Sequence, residues 1–253
     1  MNRTLRGAGI LITRPARQAA GLAREIASVG GQPLIFPAIV ILPPADPGPL
    51  RDVQWQLARY DIAVFVSANA VEYGVGDPGS WPPSLLTLAP GPGTAAALAA
   101  VGIHNVRIPA TTMDSEGLLA LPELESVAGK RVVIFRGDTG RELLKSALEA
   151  RGASVSQVEC YRRDRPKAGA NGLLEAWREK RIDAVTLTSS EGVDNLWAIL
   201  SGEARRHLAA TPAFVPHPRI AEHAQALGIR ETIVTPPADS GLVASLLEYF
   251  ARR

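Results

Sequence analysis

A single cysteine, Cys160, stands among 253 residues, which excludes an internal disulfide and any metal cluster built on thiolates. Aromatic residues make up 5% of the chain, too few for the stacking platforms that hold single-stranded nucleic acid. Charge of one sign is scarce as well. The 27 Lys and Arg against 25 Asp and Glu leave +2, which makes no basic stripe for a polyanion. The four histidines, His104, His207, His217 and His223, fall at no metal-ligand spacing. No Ser/His or Cys/His pair finds the third member that nucleophilic catalysis needs. Long apolar runs are missing. LLTLAPGPGTAAALAAVGI is interrupted by Pro90, Gly91, Pro92 and Gly93 and does not read as a spanning helix. MNRTLRGAGILITRP offers too short an apolar stretch for a signal peptide. The expectation is a cytoplasmic protein with no metal and no cofactor, and with neither nucleic acid nor membrane as partner.

What is present is a globular composition, 46% apolar and 21% charged, long enough for one large domain or two smaller ones. Internal similarity is its most informative feature. GAGILITRP is answered by GKRVVIFRG, with Gly7 against Gly129, Arg14 against Arg136 and Gly30 against Gly152, each 122 apart. YDIAVFVSANAV is answered by IDAVTLTSSEGV at the same offset, pairing Asp61 with Asp183, Ser67 with Ser189 and Val71 with Val193. Later the offset drifts: Gly102 and Gly228 differ by 126, Gly117 and Gly241 by 124. Two copies of one α/β unit is the reading.

Each copy reads as two modules. The first is a strand (ILIT; VVIF), a helix stopped by glycine (Gly30; Gly152) and a second strand (LIFPAIVI; SVSQVECY). Pro15 suits the first turn of the first helix. The second module is strand, helix, strand, helix and a short strand. Near-continuous Val/Ile/Leu strands alternating with helices point to parallel sheets covered on both faces.

In such sheets ligands bind beyond the carboxyl ends of the strands, where helix N-termini offer unpaired N–H groups. Those positions hold Thr13-Arg14, Ser67-Ala68-Asn69, Gly91-Pro92-Gly93-Thr94, Arg136-Gly137-Asp138, Thr188-Ser189-Ser190 and His217-Pro218-Arg219. Hydroxyls, glycines and arginines recur and carboxylates are few, so the rim suits an anion. Ser, Thr and Asn at these places also serve as plain helix caps. GPGTAA with Asp114 about 20 residues on matches a dinucleotide fingerprint. It follows a later strand, however, and carries a proline between its glycines. Asp138-Thr139-Gly140 spells the aspartic-protease triplet but should open a helix here. Two classes remain at this point: an enzyme that works by positioning, and a two-lobed anion-binding protein without catalysis.

Taken together, ILITRPARQAAGLAREIASVGGQPLIFP, YDIAVFVSANAVEYG, GPGTAAALAAVGI with DSEGLLALP, GKRVVIFRGDTGRELLKSALEARGASVSQVECYRR, DAVTLTSSEGVDNL and AEHAQALGI with PADSGLVASLL resemble the uroporphyrinogen-III synthase family across nearly the whole chain. The family's Gly-Pro-x-Thr-Ala turn is met once. The second copy reads His217-Pro218-Arg219-Ile220-Ala221 and lacks the threonine hydroxyl.

The resemblance implies two flavodoxin-like parallel α/β domains joined by a two-stranded β linker, with the substrate cleft between them. One domain would be discontinuous (1–36 plus 167–253), the other would span 44–157, and 37–43 with 158–166 would be the linker. It implies cyclisation of hydroxymethylbilane, a linear tetrapyrrole with eight carboxylates, to uroporphyrinogen III by a monomeric lyase. Tyr161 then falls on the family's interlobe tyrosine, as proton donor to the leaving hydroxyl. Arg14 and Arg136 would hold substrate carboxylates. Ser67, Ala68, Asn69, Gly93, Thr94, Ser189, Ser190, Pro218 and Arg219 would complete the binding rim.

Overall fold

A computed structural model describes residues 4–167 and 169–252. In chain order it contains β1 (Gly9–Ile12), α1 (Ala16–Ser28), β2 (Gln32–Ile35), β3 (Val40–Leu42), α2 (Gly48–Trp55), β4 (Ile62–Phe65), α3 (Ala68–Gly74), β5 (Leu86–Leu88), α4 (Pro92–Ala100) and β6 (Val106–Arg107). There follow α5 (Ser115–Leu119), α6 (Pro122–Glu125), β7 (Arg131–Gly137), α7 (Leu143–Ala150), β8 (Ser154–Asp164), α8 (Asn171–Arg178), β9 (Ala184–Thr186) and α9 (Ser190–Ile199). The chain closes with α10 (Gly202–Ala210), β10 (Ala213–Val215), α11 (Pro218–Ala226), β11 (Thr232–Val234) and α12 (Ala238–Ala251). The chain divides into two compact units: unit 1, Met1–Val40 with Asp164–Arg253, and unit 2, Ile41–Arg163.

Unit 1 holds a five-stranded sheet in the order β11-β10-β9-β1-β2, parallel throughout. Its strands are apolar on both faces because both are covered. Along β1 the side chains alternate. Leu11 packs with α8, α9, α10 and α11, while Ile10 and Ile12 pack with α1 and α12 on the other side. The amphipathic helix α1 buries Ala19, Leu22 and Ile26, one stripe at helical spacing.

Unit 2 repeats this three-layer plan with six strands, β3-β8-β7-β4-β5-β6. Pairs from β8 through β6 are parallel, and β3 lies at the edge beside β8. Ala63 and Phe65 of β4 face α2, α3 and α4, whereas Ile62 and Val64 face α5, α6 and α7. Phe65 and Phe135 stack at 4.5 Å in the first of these layers.

The offset of 122 recurs in the pairings. In unit 1, Ile10 faces Ala184 and Leu11 faces Val185; in unit 2, Ile62 faces Val132 and Ala63 faces Val133. Adding 122 to 10 gives 132, and to 62 gives 184, so corresponding residues pair in the same register in both units. One backbone-to-carboxylate link follows the same rule. Gly9 N–H donates to Asp183 Oδ2 at 2.7 Å, and Arg131 N–H donates to Asp61 Oδ2 at 2.8 Å.

Three local expectations are corrected. LIFPAIVI is two strands, not one, broken at Phe36–Ile39, and its halves enter different sheets. A proline at 37 has no N–H for a ladder, which makes this a natural break. Asp138-Thr139-Gly140 lies in a loop, and the helix starts only at Leu143. Pro15 stands one place before the first helical residue, with extended ψ of 141°.

Candidate active site

Unit 2 builds its rim at the carboxyl ends of β4 and β7 and along β8. Pairing between β7 and β8 is regular until Arg136, which faces Glu159, and then slips, so that Gly137 faces Tyr161. Cys160 is the extra residue. Adjacent strand residues ordinarily point to opposite faces, but this irregularity lets Cys160 and Tyr161 join the same buried layer. Gly137 makes the space for the phenol. A Cβ there would lie 2.8 Å from two carbons of the Tyr161 ring.

The Tyr161 hydroxyl lies 3.1 Å from Ser67 Oγ, in a hydrogen bond that either hydroxyl can donate. Ser67 is also the N-cap of α3, accepting from Ala70 N–H at 3.1 Å. A cavity of about 230 Å³ opens beside this pair, lined among others by Ser67, Ser115, Arg136, Arg141, Tyr161 and Arg163. Three arginines and no carboxylate side chain line it among the described residues. Its volume falls below the few hundred Å³ of a whole drug-sized ligand site, and suits one arm of a larger anion.

Arg136 is well seated, with its side chain 11% exposed. Its Nε donates to Gly137 O at 3.2 Å and Nη1 donates to Glu142 Oε1. Arg141 makes a fork to Glu116, at 2.6 and 2.7 Å. Both glutamates are held below the usual carboxylate range, chiefly by these arginine hydrogen bonds. Cys160 donates to Arg136 O at 3.0 Å, and burial pushes its thiol up to about 12, so it holds its proton at neutral pH and is no nucleophile.

Unit 1 has a rim of its own. Arg14 follows β1 and donates from Nη1 to Asp239 Oδ1 at 2.7 Å, with side chains 14% and 29% exposed. Ser189 caps α9 through Gly192 N–H at 3.0 Å, and Ser190, half-buried, begins that helix. Pro218 is exposed at the first position of α11. Arg219 N–H is already taken by His217 Nδ1 at 3.1 Å, so that amide is not open to a ligand. Ile220, in the place of the missing threonine, is core. A separate open concavity of about 830 Å³ between β11 and α12 contains none of the expected residues.

The structure thus brings Ser67, Arg136 and Tyr161 together around one cavity. Ala68 is exposed and Asn69 half-buried on the first turn of α3; Gly93 is exposed and Thr94 buried on the first turn of α4. Residue reasoning passes over Arg141 and Ser115, and reads Arg163 with Arg162, Asp164 and Arg165 as a solvated linker face rather than a recognition patch. Arg141 could have been found, because GDTGR places it at the same β7 end as Arg136. Ser115 needs the fold, since it reaches the cavity from α5.

Comparison with known proteins places these features in context. The family described as uroporphyrinogen-III synthase HemD matches residues 20–244. The uroporphyrinogen-III synthase of Salmonella typhimurium is 33% identical over 244 residues, covering 94% of this chain and 99% of the relative. That of Escherichia coli K12 is 32% identical over 246 residues, with the same coverage. Among solved structures, a mutant uroporphyrinogen III synthase from the extremely thermophilic bacterium Thermus thermophilus aligns with a TM-score of 0.58 at 20% identity. It covers 97% of this chain and 98% of its own. The Helicobacter pylori 26695 protein aligns at 0.57 with 14% identity, covering 96% and 99%. At those identities the structures speak for the fold alone.

Proposed function

Because this chain belongs to the uroporphyrinogen-III synthase family, we infer that it is a uroporphyrinogen-III synthase, a cyclising lyase of tetrapyrrole and haem biosynthesis. It closes hydroxymethylbilane to uroporphyrinogen III with inversion of the terminal pyrrole and loss of water. The observation that carries this is the match along 94% of the chain to relatives of that activity. A binding protein without catalysis is not favoured by the same match.

In mechanism, the substrate closes unaided to the wrong isomer, so the protein must chiefly hold the chain ends in a bent geometry. Orientation alone is worth several kcal/mol of barrier. The lone pair of the terminal pyrrole nitrogen pushes into the ring, and the C–O bond of the hydroxymethyl group breaks. The departing oxygen takes the Tyr161 proton and leaves as water. Ser67 hydrogen-bonds the phenol oxygen and holds it in place during the transfer. The last pyrrole attacks the freed methylene carbon through its substituted α-carbon to give a spirocyclic intermediate. This reopens and closes again through the free α-carbon, inverting the ring. The proton released as that pyrrole regains aromaticity restores the phenol.

Substrate contact in unit 2 is assigned to Ser67, Ala68, Asn69, Gly93, Thr94 and Arg136, and in unit 1 to Ser189, Ser190, Pro218 and the Arg219 side chain. Arg14 is assigned to holding the first turn of α12 through Asp239, since that carboxylate is itself mostly buried, 29% exposed against 58% for the Glu142 partner of Arg136. The shared register supports reading the two units as copies of one α/β unit that exchange their outer segments, with residues 37–43 and 158–166 as the crossing strands. A cytoplasmic monomer needing no cofactor is part of this reading, and size-exclusion chromatography of the purified protein checks the oligomeric state.

The test of the catalytic assignment is Tyr161→Phe, assayed with fresh hydroxymethylbilane and isomer analysis of the oxidised product. A general acid is worth about 10²–10⁴-fold, and less where the leaving group is pushed out by its own ring. Turnover should fall roughly ten- to a hundredfold, with type III still the main enzymatic product. Wild-type turnover in a folded Tyr161→Phe protein removes Tyr161 from catalysis. Type I alone from the wild-type enzyme, at the spontaneous rate, overturns the synthase reading itself.

A further inference from the structure

We propose that Arg136 and Arg141 form a carboxylate subsite in unit 2 which the chain's own Glu142 and Glu116 occupy until a substrate carboxylate displaces them. The proposal rests on the synthase reading for the identity of the ligand, an oligocarboxylate, and goes beyond it in naming the subsite and its resident competitors.

The arginines and their acids are unequally anchored. Arg136 is 11% exposed and fixed at its other end by Gly137 O, while Glu142 is 58% exposed in the loop before α7. A Cβ at Gly140 would lie 3.0 Å from Arg136 Nη2, so this glycine leaves the guanidinium its place on the loop. Glu116 is 51% exposed and grips Arg141 through a fork, the geometry any incoming carboxylate would adopt. Both arginines line the cavity that contains Tyr161; neither glutamate does. The acids therefore lie outside and the cations inside. Ser115 and Thr139 add hydroxyl donors to the same wall.

Displacement is cheap, because an exposed ion pair shifts an equilibrium by no more than about fivefold. The other unit shows the contrasting arrangement. By the offset of 124 that relates Gly117 to Gly241, Ser115 corresponds to Asp239. Where unit 1 has a carboxylate turned onto its arginine, unit 2 has a serine on the cavity wall.

Glu142→Gln, Glu116→Gln and the double variant test this, with Arg141→Gln as the converse and Glu149→Gln, exposed on α7, as a charge control. Two readouts are taken: KM for hydroxymethylbilane, and the dissociation constant of uroporphyrin III, a stable octacarboxylate, by fluorescence titration. Each Glu→Gln change at 116 or 142 should tighten both by about two- to fivefold with turnover unchanged. Arg141→Gln should weaken both by about fivefold or more, and Glu149→Gln should move neither by twofold. Unchanged or weakened binding in the glutamate variants overturns the proposal, as does equal tightening in Glu149→Gln, which would mean a general field effect. These outcomes are separable from failure of the synthase reading. That failure would appear as type I product from the wild-type protein, whatever the uroporphyrin affinities.

Discussion

Two arginines stand 122 residues apart at the ends of corresponding strands, and their surroundings differ. Arg14 in unit 1 is clamped by Asp239 on the first turn of α12, where the helix N-terminus also favours the carboxylate. Arg136 in unit 2 is held by Glu142, a residue mostly in water, beside a cavity. The phenol shows the same asymmetry. Tyr161 corresponds at this offset to Ile39, a buried apolar side chain in unit 1. In unit 1 the arginine is held by an acid on a helix, while in unit 2 the arginine, hydroxyls and phenol line a cavity. Similar backbones thus give corresponding arginines different surroundings, because these depend on which acid reaches the arginine rather than on the strand that bears it.

The largest expected effect lies at the opposite ends of these strands. Gly9 and Arg131 correspond, yet a Cβ on Gly9 would fall 1.8 Å from the carbonyl oxygen of Arg181. That carbonyl follows Lys180, which has a positive φ of 55°, in the turn leading to β9. Gly9→Ala must therefore prise β1 from β9 or distort the turn, and should cost about 3 kcal/mol or more. Arg131→Ala should cost less than about 1 kcal/mol, because its side chain is exposed and gives up chiefly a cation–π contact, 5.4 Å from the Tyr60 ring. Urea unfolding of both variants decides. A Gly9→Ala protein within about 1 kcal/mol of wild type would mean the two units are equally tolerant there.

Next in size is the arginine comparison itself. Arg14→Ala removes a mostly buried guanidinium and its packed stem, and should lower stability by roughly 1–2 kcal/mol while leaving KM within twofold. Arg136→Ala removes the charge-assisted contact proposed for a substrate carboxylate and should raise KM about tenfold. If Arg14→Ala raises KM as much as Arg136→Ala does, the clamp assignment fails and both arginines bind substrate.

How far the sequence alone reached follows from the range of each interaction. The offset of 122 was legible because it is a property of order along the chain, and it pointed to most of the strands and to the helix starts at Ser67 and Ser189. The break at Phe36–Ile39 was not, since an apolar run looks alike whether it stays in one sheet or passes to another. Nor was the slip at Gly137, which depends on two strands brought together by folding and turns Tyr161 toward Ser67. Arg14 and Asp239 lie 225 residues apart, so no local pattern could disclose that the arginine is already engaged.

The smallest effect gives the sharpest separation. Ser67 and Ser189 are corresponding N-caps, accepting from Ala70 N–H at 3.1 Å and Gly192 N–H at 3.0 Å. Removing either hydroxyl leaves the same amide without its partner, so Ser67→Ala and Ser189→Ala should each lower stability by about 1 kcal/mol. Only Ser67 also touches the Tyr161 hydroxyl. With Ser67→Ala the phenol stays in its slot over Gly137 but loses its hydrogen bond to the serine hydroxyl. Turnover should therefore fall a few-fold, in keeping with one neutral hydrogen bond of about 1 kcal/mol. Ser67→Thr keeps a hydroxyl and should restore most of that loss, which a purely structural defect at the helix start would not require. In Ser67→Ala/Tyr161→Phe the serine's contribution should vanish, since there is no phenol left to orient. Turnover of the double variant equal to that of Tyr161→Phe alone is the expected result. A further few-fold fall in turnover on adding Ser67→Ala would show that the serine's own substrate contact also serves the chemical step.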